Sequence, residues 1–325
     1  MDWLLFVASA SVVVAAGVGL AVCVDVLAER TGIGALWFGA VVVAVVTSLP
    51  ELATDISAIR RGASDLALSD LFGSSMANMA ILATAALVFP TRRPLQRAAL
   101  EHVLTASLAI ALTSLALLFI GARENWPLGR FAIGPAVIAA AYVLGTAFVR
   151  ERLAARLIEE RVPALSLSLR SAVFGFVVLA AAILVAGSLL ARSADRLAEQ
   201  TGFGETFFGS LVLALVTSLP ELSTSFAAIR IGAFNLAVAN LFGSNAANMA
   251  LLLPLDLAYE PGDLLATAGP DLQVAATTAI LLMAIGAAAL VLKATPGRFP
   301  LDFAAVLILV GYLAGLWAIY DLRSP

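Results

Sequence analysis

Long apolar runs separated by short polar knots recur along the whole chain, and their length makes the first prediction. Ten runs can be drawn: about 4–27, 33–59, 66–88, 98–120 and 131–149, then 171–191, 203–229, 236–257, 272–292 and 301–320. Each is close to the ~20 residues an α-helix needs to cross a ~30 Å hydrocarbon layer. Polar residues gather between the runs and do not stripe one helical face, which argues against one large soluble helical core. The pattern predicts an all-α membrane protein with ten transmembrane helices. A charged connector at 150–170, holding Glu151, Glu159, Glu160 and five arginines, separates the first five runs from the second five. It is too short to be a folded domain, so the expected division is 1–149, a linker at 150–170, and 171–325.

The two sets of five are copies. Residues 46–82 read VTSLPELATDISAIRRGASDLALSDLFGSSMANMAIL, and 216–252 read VTSLPELSTSFAAIRIGAFNLAVANLFGSNAANMALL. The offset is a constant 170 without a gap, and 24 of these 37 positions are identical, far beyond chance. The same offset carries Asp25, Leu27, Ala28, Glu29, Thr31 and Gly32 onto Asp195, Leu197, Ala198, Glu199, Thr201 and Gly202. The motif-bearing stretches run about 33–89 and 203–257. A five-helix unit has an odd number of spans, so its second copy enters the membrane from the opposite side. The predicted architecture is two inverted five-helix repeats, as in many secondary transporters. Arginine and lysine divide 12 to 7 between the two sets of connectors, with the linker in the richer set. Cytoplasmic loops carry the excess of positive charge, so the linker is expected in the cytoplasm and both termini outside an inner (cell) membrane.

Composition agrees: 62% of residues are hydrophobic and only 13% charged, too few charges to cover a soluble domain of this size. No basic patch suggests nucleic acid, which leaves the lipid bilayer and inorganic cations as expected partners. The lone Cys23 lies in an apolar run and supports neither a disulfide framework nor a thiolate metal site. No basic region precedes the first run, which is therefore read as a retained helix and not a signal peptide. Trp3, Trp126 and Trp317 suit an interfacial aromatic belt, His102 is expected at the interface, and Asp256, Glu260, Asp263 and Asp271 are expected to be solvated.

The chemistry sits inside the repeats. Mid-run, each carries T-S-L-P-E: Thr47-Ser48-Leu49-Pro50-Glu51 and Thr217-Ser218-Leu219-Pro220-Glu221. Proline lacks an N–H and crowds the carbonyl four residues back, so Pro50 frees the carbonyl of Val46 and disturbs that of Thr47. Pro220 does the same at Val216 and Thr217. Such broken backbone survives at membrane depth only where it lines a cavity or is buried in protein. One residue later stands a carboxylate, costly there by ~2.5 kcal/mol or more unless a cation offsets it. No basic residue lies in the surrounding apolar runs, so Glu51 and Glu221 are expected to coordinate a cation, in hard-oxygen chemistry suited to Ca²⁺ or Na⁺. The next helix of each copy brings Ser74 and Asn78, or Ser244 and Asn248, four apart on one face. Asn78 and Asn248 are expected to be ligands as well. Gly73, Ala77, Gly243 and Ala247 are read as helix-packing positions. Asp55, one turn after Glu51, either extends an ion pathway or hydrogen-bonds locally. Asp70 is an extra potential carboxylate near the site, though it is expected rather to be solvated at a helix end or hydrogen-bonded.

The paired motifs TSLPEL…GSSMAN and TSLPEL…GSNAAN resemble the two alpha-repeats of the sodium/calcium exchanger family, within the cation/Ca²⁺ antiporter superfamily. The resemblance implies alternating access by a secondary antiporter that exchanges Ca²⁺ for Na⁺, with no cofactor. It implies that Glu51 and Glu221 are the two ion-binding glutamates and that Thr47 and Thr217 contribute backbone carbonyls. Ser48 and Ser218 match the adjacent hydroxyls, Ser74 and Ser244 the sodium-site serines, and Asn78 and Asn248 the amide or carboxylate position at the centre. The chain departs from the usual pattern in carrying Val46 and Val216 before T-S-x-P-E, and Ser69-Asp70 and Ala239-Asn240 where Gly-Asn is usual. An H⁺-coupled exchanger of divalent cations and a passive cation channel are the alternatives on the same fold. An intramembrane protease would need facing aspartates, or a serine beside His or Lys, and neither set stands out mid-membrane.

Overall fold

The computed structural model describes residues 2–31, 37–89, 101–122, 127–128, 131–154, 167–201, 214–292 and 303–323. With no water in the bilayer core, a spanning backbone must satisfy its hydrogen bonds internally, and helices dominate accordingly. Helix α1 is Asp2–Thr31, and α2 spans Phe38–Arg60. Then come α3, Ser64–Val88, α4, His102–Ala122, and α5, Ile133–Ala154. The second copy comprises α6, Leu169–Thr201, α7, Leu219–Ile231, α8, Phe234–Ala258, α9, Pro270–Leu292, and α10, Phe303–Arg323. A two-residue hairpin, β1 (Pro127–Leu128) with β2 (Phe131–Ala132), pairs antiparallel between α4 and α5. Nine of the described helices are long and apolar enough to cross a membrane. The missing one is α7, because 202–213, where its predicted span begins, lies outside the described residues.

Packing follows the repeat. Helix α1 lies on α6 and α7, as α6 lies on α1 and the second half of α2; α8 touches α4 and α5, as α3 touches α9 and α10. Exchanging the copies maps each set onto the other, the signature of a pseudo-two-fold axis. The α1–α6 pair is antiparallel: Asp2 receives a hydrogen bond from Gln200 (3.0 Å) and pairs with Arg196 (3.6 Å), while Gly175 faces Cys23 at the other end. These polar contacts carry α6 ten residues beyond its predicted end at 191, since a helix with partners for its polar residues need not stop at the hydrocarbon boundary. Helices α3 and α8 are the most enclosed of the bundle, and the repeat-related Phe72 and Phe242 both sit in the core with no exposure.

Two expectations about connectors need correction. Asp256 is fully buried, not solvated: its carboxylate accepts the backbone N–H of Ala132 (2.6 Å) and of Leu264 (2.7 Å). It ties the end of α8 to β2 and to the short turn Leu264–Thr267. Of the other three acids there, Glu260 is exposed and Asp263 caps that turn through Ala266 N–H. His102 is likewise buried, against Asn235 at 3.1 Å, because α4 packs flat on α8. Trp3 and Trp317 are exposed as a lipid-interface belt requires, whereas Trp126 and most of the linker, 155–166, lie outside the described residues.

Asp256→Ala strands two buried N–H groups, each costing roughly 1–3 kcal/mol. The expected result is a clear fall in thermal stability in detergent, with Asp256→Asn, which keeps one acceptor oxygen, falling about half as far. Equal stability of Asp256→Ala and the unaltered protein would refute the buried strut.

Candidate functional site

Both helices that carry T-S-L-P-E are broken where the sequence predicts. In α2 a wide π-helical stretch, Phe38–Val43, leads into Ala44–Thr47. Ser48 then leaves helical geometry (φ −85°, ψ 1°), and a second segment, Leu49–Arg60, begins. In the other copy Ser218 takes nearly the same conformation (φ −82°, ψ 5°) before Leu219. Pro50 and Pro220 stand in the first turn of these second segments, where a missing N–H costs nothing. The hydroxyls of Ser48 and Ser218 are buried and have no hydrogen-bond partner.

Glu51 and Glu221 follow directly, both with no solvent exposure. Neither oxygen of Glu51 has a hydrogen-bond partner; Glu221 accepts from Ser244 Oγ (3.3 Å) and has the Thr47 hydroxyl beside it, and its Oε2 has no partner. The charged neighbours of Glu51 are Glu221, Asp70 and Asp55. Among the described residues no basic group offsets them. Two like charges held together in a dry interior, where their hydration is lost, are tolerated only when a cation or a proton balances them.

Hydroxyls of the two motifs meet across the repeats, including those of Thr47 and Thr217, for which the expected ligand atom is the backbone carbonyl. Thr47 Oγ1 of α2 lies 3.3 Å from Ser244 Oγ of α8, and Thr217 Oγ1, just before α7, lies 3.4 Å from Ser74 Oγ of α3. The pseudo-symmetry thus brings each broken helix to the other copy's serine. Helices α3 and α8 cross through amides: Asn78 Nδ2 donates to Asn245 Oδ1 (2.9 Å), and Asn245 Nδ2 donates to the Ser75 carbonyl (3.2 Å). This leaves Asn78 Oδ1 and both side-chain atoms of Asn248 buried without partners. All ten predicted positions are buried; Thr47, Ser244 and Glu221 form one run of contacts, and Ser74 meets Thr217. Close approach is what makes this possible. A Cβ on Gly243 would collide with the Ala40 backbone (2.6 Å from its Cα), and one on Gly187 would sit 2.6 Å from Pro50 Cγ.

Asn245 escaped the sequence reading, which left Asp55 and Asp70 open between alternatives. Asn245 is the structural crosspiece, and its repeat mate is the serine Ser75, so identity between copies could not flag it. Asp55 and Asp70 are both buried (1% and 0% exposed), which removes solvation as an account of Asp70. Asp70 Oδ1 accepts Thr217 Oγ1 (3.0 Å), and the two aspartate carboxyls lie against each other, close enough to share a hydrogen. The signal was in the sequence, since both sit one turn from site residues on the site's face. Among the described residues no three His, Cys, Asp or Glu side chains converge tightly enough to form an acidic metal cage, so any cation here is held by mixed oxygens.

Comparison with known proteins gives a coherent picture. The family model described as sodium/calcium exchanger protein matches residues 1–149 and 171–320. The inner membrane protein YrbG of Escherichia coli (strain K12) is 30% identical over 245 residues, 74% of each chain. The protein named CaxA of Alkalimonas amylolytica is 27% identical over 266 residues, 80% of this chain and 82% of that one. In fold, the chain matches a crystal form of the sodium-calcium exchanger NCX_Mj soaked with 10 mM Na⁺ and zero Ca²⁺. The TM-score is 0.72 at 17% identity, over 99% of both chains.

Proposed function

The chain belongs to the sodium/calcium exchanger family, and from that premise we propose that it is a secondary active antiporter exchanging Ca²⁺ for Na⁺ by alternating access. The family consists of cation transporters and not enzymes, so the chemistry asked of the site is binding and release. The observation that carries the reading is the pair Glu51 and Glu221, wholly buried with no basic partner among the described residues, each set just after a break in a membrane helix. Two carboxylates neutralise one Ca²⁺ or two monovalent ions, which makes the two cargoes alternatives for one site. The carbonyls of Thr47 and Thr217 and the side chains of Ser48, Ser218, Ser74, Ser244, Asn78 and Asn248 supply neutral oxygens, in keeping with the six to eight that Ca²⁺ takes.

Obligatory exchange follows from the same electrostatics. An ion-free site leaves two charges uncompensated in low dielectric, so moving it across the membrane is disfavoured. The inner membrane is the proposed location, with the linker cytoplasmic and the α2–α3 turn facing outward, in keeping with the arginine and lysine distribution and with the name of the YrbG relative.

The test is Ca²⁺ uptake into proteoliposomes under imposed gradients. Proteoliposomes loaded with Na⁺ and diluted into Na⁺-free buffer are expected to take up Ca²⁺ at least about tenfold faster than ones without a gradient. A pH gradient alone is expected to do little. Uptake driven by pH and indifferent to Na⁺ would assign the cycle to H⁺ exchange, and flux without any counter-ion would mark a channel.

A further inference from the structure

The repeat offers an internal control for Asp55 and Asp70. Shifted by 170 residues, they become Ser225 and Asn240, and these also touch: Asn240 Nδ2 donates to Ser225 Oγ at 3.2 Å. The same juxtaposition of a residue in the second segment of a broken helix with one in the following helix therefore exists twice. In one copy a hydroxyl and an amide satisfy it; in the other, two carboxylates face each other with no donor between them. Both oxygens of Asp55 and the Oδ2 of Asp70 are buried and without a partner.

We infer that Asp55 and Asp70 form a second cation site, for a divalent ion, offset from the central one and present in one repeat only. Asp55 lies one helical turn beyond Glu51 and Asp70 one turn before Ser74, so the pair sits about 5 Å from the centre towards the α2–α3 turn. Two carboxylates with no basic neighbour among the described residues balance one divalent charge. Carboxyls within hydrogen-bond reach of one another are also spaced for a cation to bridge at the ~2.3–2.6 Å typical of Ca²⁺–oxygen bonds. Thr217 couples the two places, because its hydroxyl donates to Asp70 Oδ1 and lies 3.4 Å from Ser74 Oγ. The inference rests on the exchanger reading for its setting, and it adds an asymmetry. On the side of the α2–α3 turn, outward in the orientation proposed above, an ion meets an acidic station before the centre; on the opposite side it meets Ser225 and Asn240.

The test converts one repeat into the other. The double variant Asp55→Ser with Asp70→Asn installs the pair that the second copy already accommodates. Equilibrium binding of radioactive Ca²⁺ to purified protein in detergent at pH 8, without Na⁺, is expected to give one Ca²⁺ fewer per chain than in the unaltered protein. The single variant Asp70→Asn, which keeps an oxygen for Thr217, guards against misfolding of the double variant and is expected to weaken the same site at least about tenfold. Glu51→Gln is expected to lose the central ion and keep this one, so the two assignments fail separately. An unchanged number of bound Ca²⁺ in both aspartate variants overturns the proposal. So does a result in which only proton uptake differs, since the pair would then hold a hydrogen and not a metal.

Discussion

Replacing Glu51 with Gln is expected to cut Ca²⁺ uptake by about 100-fold or more, equivalent to roughly 2.8 kcal/mol at 1.4 kcal/mol per decade. The side chain keeps its size and one oxygen acceptor, so the loss measures charge and not shape. Stability is expected to move in the opposite direction. Without a divalent ion, the unaltered protein holds a buried carboxylate with no hydrogen-bond partner on either oxygen. The amide removes that electrostatic penalty, so Glu51→Gln should melt at a higher temperature than the unaltered protein in chelator. Adding Ca²⁺ should reverse the order, because the unaltered protein binds the central ion as well and gains the larger stabilisation. Thermal melts of the two proteins with and without Ca²⁺, alongside vesicle uptake, check both signs. A variant that transports normally, or whose melting responds to Ca²⁺ as the unaltered protein does, would remove Glu51 from the site.

The second large effect is expected at a glycine. Gly243 of α8 lies so close to α2 that an added Cβ would meet the carbonyl oxygen, the carbonyl carbon and the Cα of Ala40. Backbone cannot rotate aside as a side chain can, so Gly243→Ala forces the helices apart, with an overpacking cost of about 2–3 kcal/mol. The displaced helices carry Thr47 and Ser244, whose hydroxyls meet at 3.3 Å, so transport should fall together with thermal stability. The repeat mate provides the comparison. At Gly73 an added Cβ would lie 3.1 Å from the Ala214 side chain, a contact that a small shift relieves. Gly73→Ala is therefore expected to be the milder change on both measures. Equal tolerance at the two positions, judged by melting in detergent and by uptake, would contradict the packing described.

These expectations draw unequally on sequence and structure. The ten helices, the repeat and the proline breaks were all legible, because each depends on local properties: run length against bilayer thickness, a constant offset of 170, and the missing N–H of Pro50 and Pro220. Helix ends were less so. Polar residues near 192–200 looked like a connector and proved helical, since Asp2 from the far end of the neighbouring helix supplies partners for Arg196 and Gln200.

Acidic residues show the limit most clearly. The chain alone determined that Glu51 and Glu221 lie mid-membrane beside broken backbone, because their position along the helix axis follows from counting residues. It could not distinguish Asp256, a buried strut holding two backbone N–H groups, from Glu260, an exposed neighbour four residues on. Nor could it decide between a solvated and an enclosed Asp70. Burial depends on what packs against a residue from elsewhere in the chain: Thr217 reaches Asp70 across 147 positions, and Ala132 reaches Asp256 across 124. Periodicity fixes which face of a helix a side chain occupies, while the neighbour on that face, and hence the charge it must balance, is set only when the two copies close on each other.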